Sequence, residues 1–415
     1  MRIRTAAAAV GVLALALSAC SQGSATNPGT SEDGKTVVRY MNFSANDGNE
    51  ENLDKIVAEF EKANSDIDVQ VETVPYADYF TKLQTAVAGG TAPDTFELNY
   101  ENFVTYAKNG SLAELSGVDK SAYQASLVDA YASDGKQYGL PESFSNVVLF
   151  YNKTLFEQKG VALPTADWTW ADEQAAATQL TDKAAGVWGD YQPITYNEFY
   201  KALAQTGGEF LSADGKTATF DSPEGLKAAN WLIGKNGTTM PTEADGAGTP
   251  DFDSKLFTDG KLAMWHSGIW MFGALAEAPF EWDVVVEPGD TTKASAMFVN
   301  GLVVSSAAKN TEAAQKWITF LSSSDVMTTT RLEASWELPP VADQSKLAPY
   351  LEQPKPSNRQ AVFDALEATV LPPVIERQQE MQDAVTKELS EAAAGRKPVA
   401  QALTDAQAAV NGLLG

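Results

Sequence analysis

Residues 138–170 read YGLPESFSNVVLFYNKTLFEQKGVALPTADWTW. The centre of this stretch, Val147 to Tyr151, is five consecutive apolar or aromatic residues, which suits a strand buried on both faces. Pro141 lies just upstream, where it can end one element and admit a crossing strand. Polar groups crowd the entry to the strand: Glu142, Ser143, Ser145 and Asn146, with Phe144 among them. Downstream, Asn152-Lys153-Thr154-Leu155-Phe156 starts a short helix.

The chain has 415 residues. Single cores usually split above roughly 250–300 residues, so two lobes are expected. A formal charge of −25 argues against nucleic acid, which needs a cationic surface. It also disfavours an anionic substrate by long-range repulsion. Cys20 is the only cysteine. Arg2 and Arg4 precede an apolar run, Ala6 to Ala19, with the pattern of a secretory signal; it is shorter than the ~20 residues of a spanning helix. The run ends Leu17-Ser18-Ala19-Cys20, which resembles the bacterial lipobox, so Cys20 is the expected lipidation site. Residues 21–35 are small and polar without periodicity and read as a flexible tether.

After the tether, a strand is expected from Val37 to Phe43, then a helix with Leu53, Ile56, Val57 and Phe60 on one face. Ile67 to Val74 alternates as a half-buried strand. Asp78 is placed to cap the next helix, and Thr95 to Leu98 is a third strand. Further on, Thr169 with Asp172 and Ser222 with Pro223 mark helix starts. Gly260 to Trp270 reads as a strand, a tight turn and a helix from about Ile269; Val284 to Val286 and Asn300 to Ser305 read as strands. A helix capped at Asn310 follows, and the tail is two helices separated near Gly395 and Pro398. Strands alternating with helices imply an α/β chain.

Several phrases, in this order, resemble the extracellular sugar-binding proteins of ATP-driven bacterial importers, of the maltose-binding type. They are Phe60-Glu61-Lys62-Ala63-Asn64, Gly89-Gly90-Thr91-Ala92-Pro93-Asp94, Tyr151-Asn152-Lys153 with Leu155-Phe156, and Pro164 followed by Trp168-Thr169-Trp170. The resemblance spans residues 36 to about 411 and implies a two-lobed periplasmic-binding-protein-like α/β fold. Each lobe would be a mainly parallel sheet flanked by helices, joined by three hinge crossings near 143–148, 299–304 and 349–356. Residues 36–145 plus 303–352 would form lobe 1, and 146–302 plus 353–415 lobe 2. The implied function is capture of a neutral di- or oligosaccharide by hinge closure and delivery to permease subunits in the membrane, with a cytoplasmic ATPase driving release. The protein would act as a monomer on the outer face of the cytoplasmic membrane, attached through lipid alone and using no cofactor or metal.

A neutral sugar offers apolar C–H faces and many hydroxyls, so its site needs flat aromatics together with Asp, Glu, Asn, Gln or Ser. In open α/β sheets, such groups lie just beyond strand ends. The candidates are Asn42, Phe43, Ser44, Asn46 and Asp47; Asn99 and Glu101; Ser143, Phe144, Ser145 and Asn146; Asn197, Glu198 and Tyr200; Trp270; Asn300 and Gly301; and Trp336. Trp270 leads them, because maltose-binding relatives place a sugar-stacking aromatic after a Gly-x turn and Gly268-Ile269-Trp270 matches. Glu101 falls where those relatives keep an acidic ligand residue. Ser145 stands where they often carry a carboxylate, which implies a different sugar or binding mode. Some of these also have a plainer reading: Trp270 as packing, Glu101 as a helix-start acid, Asn42 and Asn46 as capping or turn residues; Trp265 reads as core.

Catalytic patterns are weak. His266 is the only histidine, Trp265-His266-Ser267-Gly268 lacks the first glycine of a nucleophile elbow, and there is neither Cys/His metal spacing nor a phosphate-cradling loop. Paired carboxylates could serve a surface glycoside hydrolase, but 55 acidic residues always supply a plausible pair. An adhesion lipoprotein, or a relative binding a polyol or another non-sugar solute, is the other alternative. Phosphate recognition would need a cationic cluster, and the candidate segments contain no Arg.

Overall fold

The computed structural model describes residues 29–31, 33–46, 48–249 and 251–414; the lipidation candidate Cys20 and the candidate ligand residue Asp47 lie outside them. Ten strands occur among these residues: β1 (Thr36–Asn42), β2 (Ile67–Thr73), β3 (Thr95–Asn99), β4 (Ala132–Ser133), β5 (Lys136–Gln137), β6 (Gly139–Asn152), β7 (Met264–Gly268), β8 (Trp282–Val285), β9 (Ser295–Val304) and β10 (Thr369–Val370). β4 and β5 form a separate small hairpin. The other eight make one continuous α/β sheet, in the order β2-β1-β3-β9-β6-β7, with β8 on β6 and β10 on β9.

Two long strands hold this sheet together. All 14 residues of β6 are buried, as the apolar run requires. Val148 and Phe150 face one cluster, with Trp265, Phe272 and Trp282. Leu149 and Tyr151 face another, with Phe156 and Ala177. Gly139 to Asn146 pairs with β9, while Val147 to Asn152 pairs with β7 and β8. β9 in turn carries β3 along Asn300 to Val304 and β10 at Ser295 and Ala296. Each strand therefore begins in one part of the sheet and ends in the other, and the chain is two-lobed around this pair.

Parallel pairing does not run through the whole sheet; it joins β1 to β2 and β3, and β10 to β9. The sheet is mixed because β6 and β9 cross in opposite directions, and β7 and β8 also run antiparallel to β6. Parallel bridges Trp188–Leu262 and Tyr191–Trp265 extend it past β7. Nor does Pro141 end an element. It sits inside β6 where the register to β9 slips, between Pro141 and Ser143, so its missing N–H falls at an irregularity in the ladder.

Local signals explain several helices. Thr169 and Asp172 form the reciprocal capping box that opens helix Trp170–Leu180. Ser222 accepts from Gly225 N at 3.1 Å, with Pro223 at the first helical position. The tail is two helices, Gln378–Ala393 and Val399–Leu414. Two starts differ from expectation. Helix Tyr76–Ala88 begins after Pro75, which leaves Asp78 inside its first turn rather than at its cap. Ile269–Met271 is a single 3₁₀ turn, since Gly273 and Pro279 interrupt any longer helix.

Gly301 has a packing role. A Cβ there would lie 2.3 Å from the ring of Tyr131, whose hydroxyl sits 2.9 Å from the Leu98 carbonyl and 2.8 Å from that of Val299. Tyr131 thus pins β3 to β9 at the crossing. Gly301→Val is expected to cost about 1–3 kcal/mol by overpacking, and Tyr131→Phe about 1 kcal/mol. Urea unfolding measures both; a Gly301→Val midpoint equal to wild type would contradict this packing.

Candidate functional site

Strand alternation places Ser143, Ser145 and Val147 of β6 on one face. Asn300 is registered opposite Ser143 and Phe298 opposite Ser145, and Asn99 of β3 pairs with Asn300. A row of polar and aromatic groups therefore crosses the sheet where its two parts join.

At the β3 end, Asn99 and Glu101 form a small buried network. Asn99 Nδ2 donates to Glu101 Oε1 at 2.8 Å and to the Tyr76 hydroxyl at 3.2 Å. Asn99 Oδ1 accepts from Asn102 N at 3.3 Å, capping helix Tyr100–Lys108. Glu101 Oε2 has no hydrogen-bond partner although Glu101 is only 1% exposed. Burial pushes its carboxyl up to about 7. Burial, with Glu101 among the nearby charges that add to it, holds the hydroxyls of Tyr196 and Tyr200 on helix Tyr196–Gln205 well above their usual range. The Tyr200 hydroxyl, the Ser145 hydroxyl and Ser44 Oγ are also buried without partners. Trp270 is half-buried over Gly268, its ring 5.9 Å from that of Phe298 in an edge-on contact. Val147, Tyr200, Trp270 and Phe298 belong to one apolar cluster. The structure thus brings Glu101, Asn99, Ser145, Tyr200 and Trp270 to the junction, with Tyr76 and Phe298 beside them.

Several other candidates are committed elsewhere. Asn42 holds its own turn, accepting from Ala45 N at 3.1 Å and donating to Thr73 Oγ1 at 3.1 Å. Asn46 Nδ2 donates to the carbonyls of Phe43 and Val74, both at 2.8 Å. Phe43 packs against Tyr79 and Phe80 in the core, and Phe144 bridges to Leu338. Asn146 lies on the opposite face of β6 from Ser145 and donates to the Val362 carbonyl at 2.6 Å; its Oδ1 has no partner. Asn197 lines a separate hollow of about 410 Å³ with Gln379 and Gln382.

Ser143, Asn300 and Trp336 belong to a buried network on β1, β3, β6 and β9. Ser143 Oγ donates to Glu337, as does Asn300 Nδ2 at 3.2 Å. Arg331 meets Glu142 at 2.5 Å and Glu337 at 3.4 Å, with its guanidinium 4.0 Å above the Trp336 ring. Trp336 Nε1 donates to the Ser44 carbonyl at 2.7 Å. Glu97 accepts from the amides of Phe43 and Ser44, each at 3.0 Å. Burial, then Glu142 and Glu337, keeps the Glu97 carboxyl well above the usual carboxylate range; burial raises Glu142 to about 7 against the pull of Arg331.

Glu198 belongs to a second buried network. It meets Lys201 at 2.6 Å and accepts from Gln192 at 2.8 Å. Lys201 also reaches Glu287 at 2.5 Å, and Lys235 reaches Glu173 at 2.5 Å and Asp190 at 2.6 Å. His266 sits among them, Nδ1 2.9 Å from Glu287 and Nε2 3.1 Å from Glu173. Burial alone would lower the imidazole pKa; Glu287, Glu173 and Asp190 together hold it well above the usual value. The Glu173, Asp190 and His266 group has metal-like spacing, as does Glu198, His266 and Glu287. Lys235 and Lys201 already supply the cationic charge among these acids.

Sequence reasoning missed Tyr76 and Phe298. Tyr76 is 46% exposed and follows the end of β2, so the strand-end rule applied to Asn42 and Asn99 would have found it. Phe298 lies inside β9 and is recognisable only from its register with Ser145.

The sequence profile of the bacterial extracellular solute-binding proteins matches residues 55–355. This chain belongs to that family. An ABC substrate-binding protein from Listeria monocytogenes, solved in complex with cycloalternan, is 44% identical to it. The two superpose with a TM-score of 0.87 over 91% of this chain and 98% of that one. The maltodextrin-binding protein of Bacillus subtilis is 25% identical over 96% of this chain and 94% of its own length. A maltooligosaccharide ABC transporter solute-binding lipoprotein of Streptococcus pneumoniae is 26% identical over 76% of each chain.

The raised Glu101 carboxyl has a signed consequence. Its folded pKa of about 7 exceeds the ordinary 4.5, so the folded form holds the proton more tightly. That stabilisation is complete below the unfolded value and is lost as pH rises through 7. Glu101→Gln should therefore gain stability relative to wild type between pH 5 and 8, by a few kcal/mol. Denaturation of ligand-free protein across that range measures it; parallel curves for the two proteins would contradict the assignment.

Proposed function

We propose that this protein captures an uncharged oligosaccharide of the cycloalternan type in the cleft crossed by β6 and β9, and delivers it to an ABC importer. The observation that carries the reading is the unpartnered, buried polar set Glu101 Oε2, Ser145 Oγ and Tyr200 OH beside the half-exposed Trp270. Those groups suit sugar hydroxyls, and the indole suits an apolar sugar face. The charge balance supports a neutral ligand. Arg331, Lys201 and Lys235 are each held by two carboxylates, so they are spent within the protein.

The family relationship and the 44% identical cycloalternan-bound protein support the ligand class. Hydrolysis is less favoured: Glu97, Glu142 and Glu337 are engaged with backbone amides, Arg331, Ser143 and Asn300, which leaves Glu101 without a paired acid at the junction. The proposed lobes are 36–145 plus 303–352 and 146–302 plus 353–415. Hinge closure between them would trap the sugar by selecting the closed form. Cys20 would carry the lipid that tethers the domain outside the cytoplasmic membrane, in line with the lipoprotein name of the Streptococcus pneumoniae relative. The permease would then read the closed surface of a monomer.

Thermal unfolding of the mature protein against cycloalternan, linear maltooligosaccharides and a polyol tests the reading. Saccharide at 100 times its dissociation constant should add about 2.7 kcal/mol of stability, and the polyol should add none. Trp270→Ala should weaken saccharide binding on the order of tenfold. Unchanged melting with every saccharide would overturn the function, whereas intact affinity in Trp270→Ala would overturn only the site.

A further inference from the structure

Lys201, Lys235 and Arg331 are buried cations held by two carboxylates each. Arg359 is buried as deeply, at 2% exposure, yet among the described residues no carboxylate acts on it. Its Nη2 donates to Ser335 Oγ at 2.8 Å and to the Lys355 carbonyl. Nε and Nη1 are buried with no hydrogen-bond partner among the described residues. The guanidinium carbon lies 4.5 Å from the centre of the Tyr350 ring and 5.1 Å from that of Phe272. Burial lowers the guanidinium below its usual value, and the Tyr350 hydroxyl alone opposes that shift. That hydroxyl is buried too and meets no partner in good hydrogen-bond geometry. The acid that meets this stretch of chain is committed elsewhere: Asp283 accepts from Ser357 Oγ and from Asn358 N, the latter at 2.8 Å, with Lys153 at 3.9 Å. Ser335 ends helix Asp325–Ala334 at a φ of 51°, a left-handed conformation that favours glycine. The side chain kept there supplies the acceptor for Nη2.

We propose that Arg359 and the Tyr350 hydroxyl bind a small monovalent anion, a halide such as chloride, inside the protein. A buried charge is costly unless it is paired and hydrogen-bonded. The two aromatic rings offset part of that cost through cation–π contact, but they leave the Nε and Nη1 donors unused. A halide accepts from N–H and O–H donors alike, so Nε, Nη1 and the Tyr350 hydroxyl suit one ion between them. One negative charge balances one guanidinium. A second would find no partner there, and the protein's formal charge of −25 disfavours multiply charged anions. Phosphate and sulfate also lose far more hydration on burial than a halide does. None of these groups belongs to the residues assigned to the sugar, so the anion site is independent of the binding function proposed above.

Thermal unfolding of the sugar-free mature protein tests the site, with chloride exchanged for gluconate at constant ionic strength. An ion bound by the folded form alone raises the melting temperature, so the wild-type value should climb with chloride and level off as the site fills. Arg359→Met should show no response to the exchange, and Tyr350→Phe should need several-fold more chloride for half of its response. Identical melting in chloride and gluconate would overturn the proposal. So would a rise that never levels off, or a wild-type response in Arg359→Met. Wild-type crystals soaked in bromide test the same point without any variant that has to fold. An anomalous scattering peak within hydrogen-bond distance of Arg359 Nε and Nη1 is expected; a water at that position, or no peak, would overturn the assignment.

Discussion

The antiparallel pairing of β6 with β9 is the constraint on which the rest depends. Both strands are shared between the two parts of the sheet, so any shift in their register would move every residue on the junction at once. Because all of β6 is buried, its backbone polar groups must be satisfied by neighbouring strands along its length. β9 serves the first part and β7 and β8 the second. Two devices fix the crossing. Tyr131 lies over Gly301 with its hydroxyl against two strands, and Glu337 gathers Ser143 of β6 and Asn300 of β9. Leu338, next in sequence, bridges to Phe144, so a third chain segment is fastened at the same point.

Buried charge is arranged around this junction in two closed networks. Removing ions from water costs several kcal/mol each, a penalty offset only where geometry and further hydrogen bonds are good. Lys235 meets two carboxylates and Gln192 while lying 4.0 Å over the Trp231 ring, and Arg331 similarly joins two acids above Trp336. These networks consume the cations closest to the junction. Of the side chains described above at the junction, Glu101 is the only carboxyl, and burial raises its pKa to about 7.

Local chemistry made much of the fold legible in the sequence. The apolar run at Val147 to Tyr151, the Thr169–Asp172 box, the Ser222–Pro223 start and the break near Gly395 each carry their cause within a few residues. Pro141 misled because a bulge, a tertiary feature, lets proline sit inside a strand. Asp78 misled because Pro75 had already set the helix start. Of the residues proposed for the site, Asn99, Glu101, Ser145 and Trp270 are recognisable by residue type and position after or within strands, whereas Tyr200 stands on a helix and is recognisable by residue type alone. Glu198 and Gly301 were not, since their roles depend on Lys201 and Tyr131, which approach from distant or differently facing elements. Cross-strand register, which placed Phe298 beside Ser145, has no trace in a single sequence.

The central claim is that a saccharide draws the two parts together around the β6–β9 pair. Small-angle X-ray scattering of the mature protein with and without cycloalternan tests it most directly. The account predicts a smaller radius of gyration at saturating sugar, reached with the same midpoint as binding measured by calorimetry. Calorimetric binding with no change in the scattering curve would contradict it.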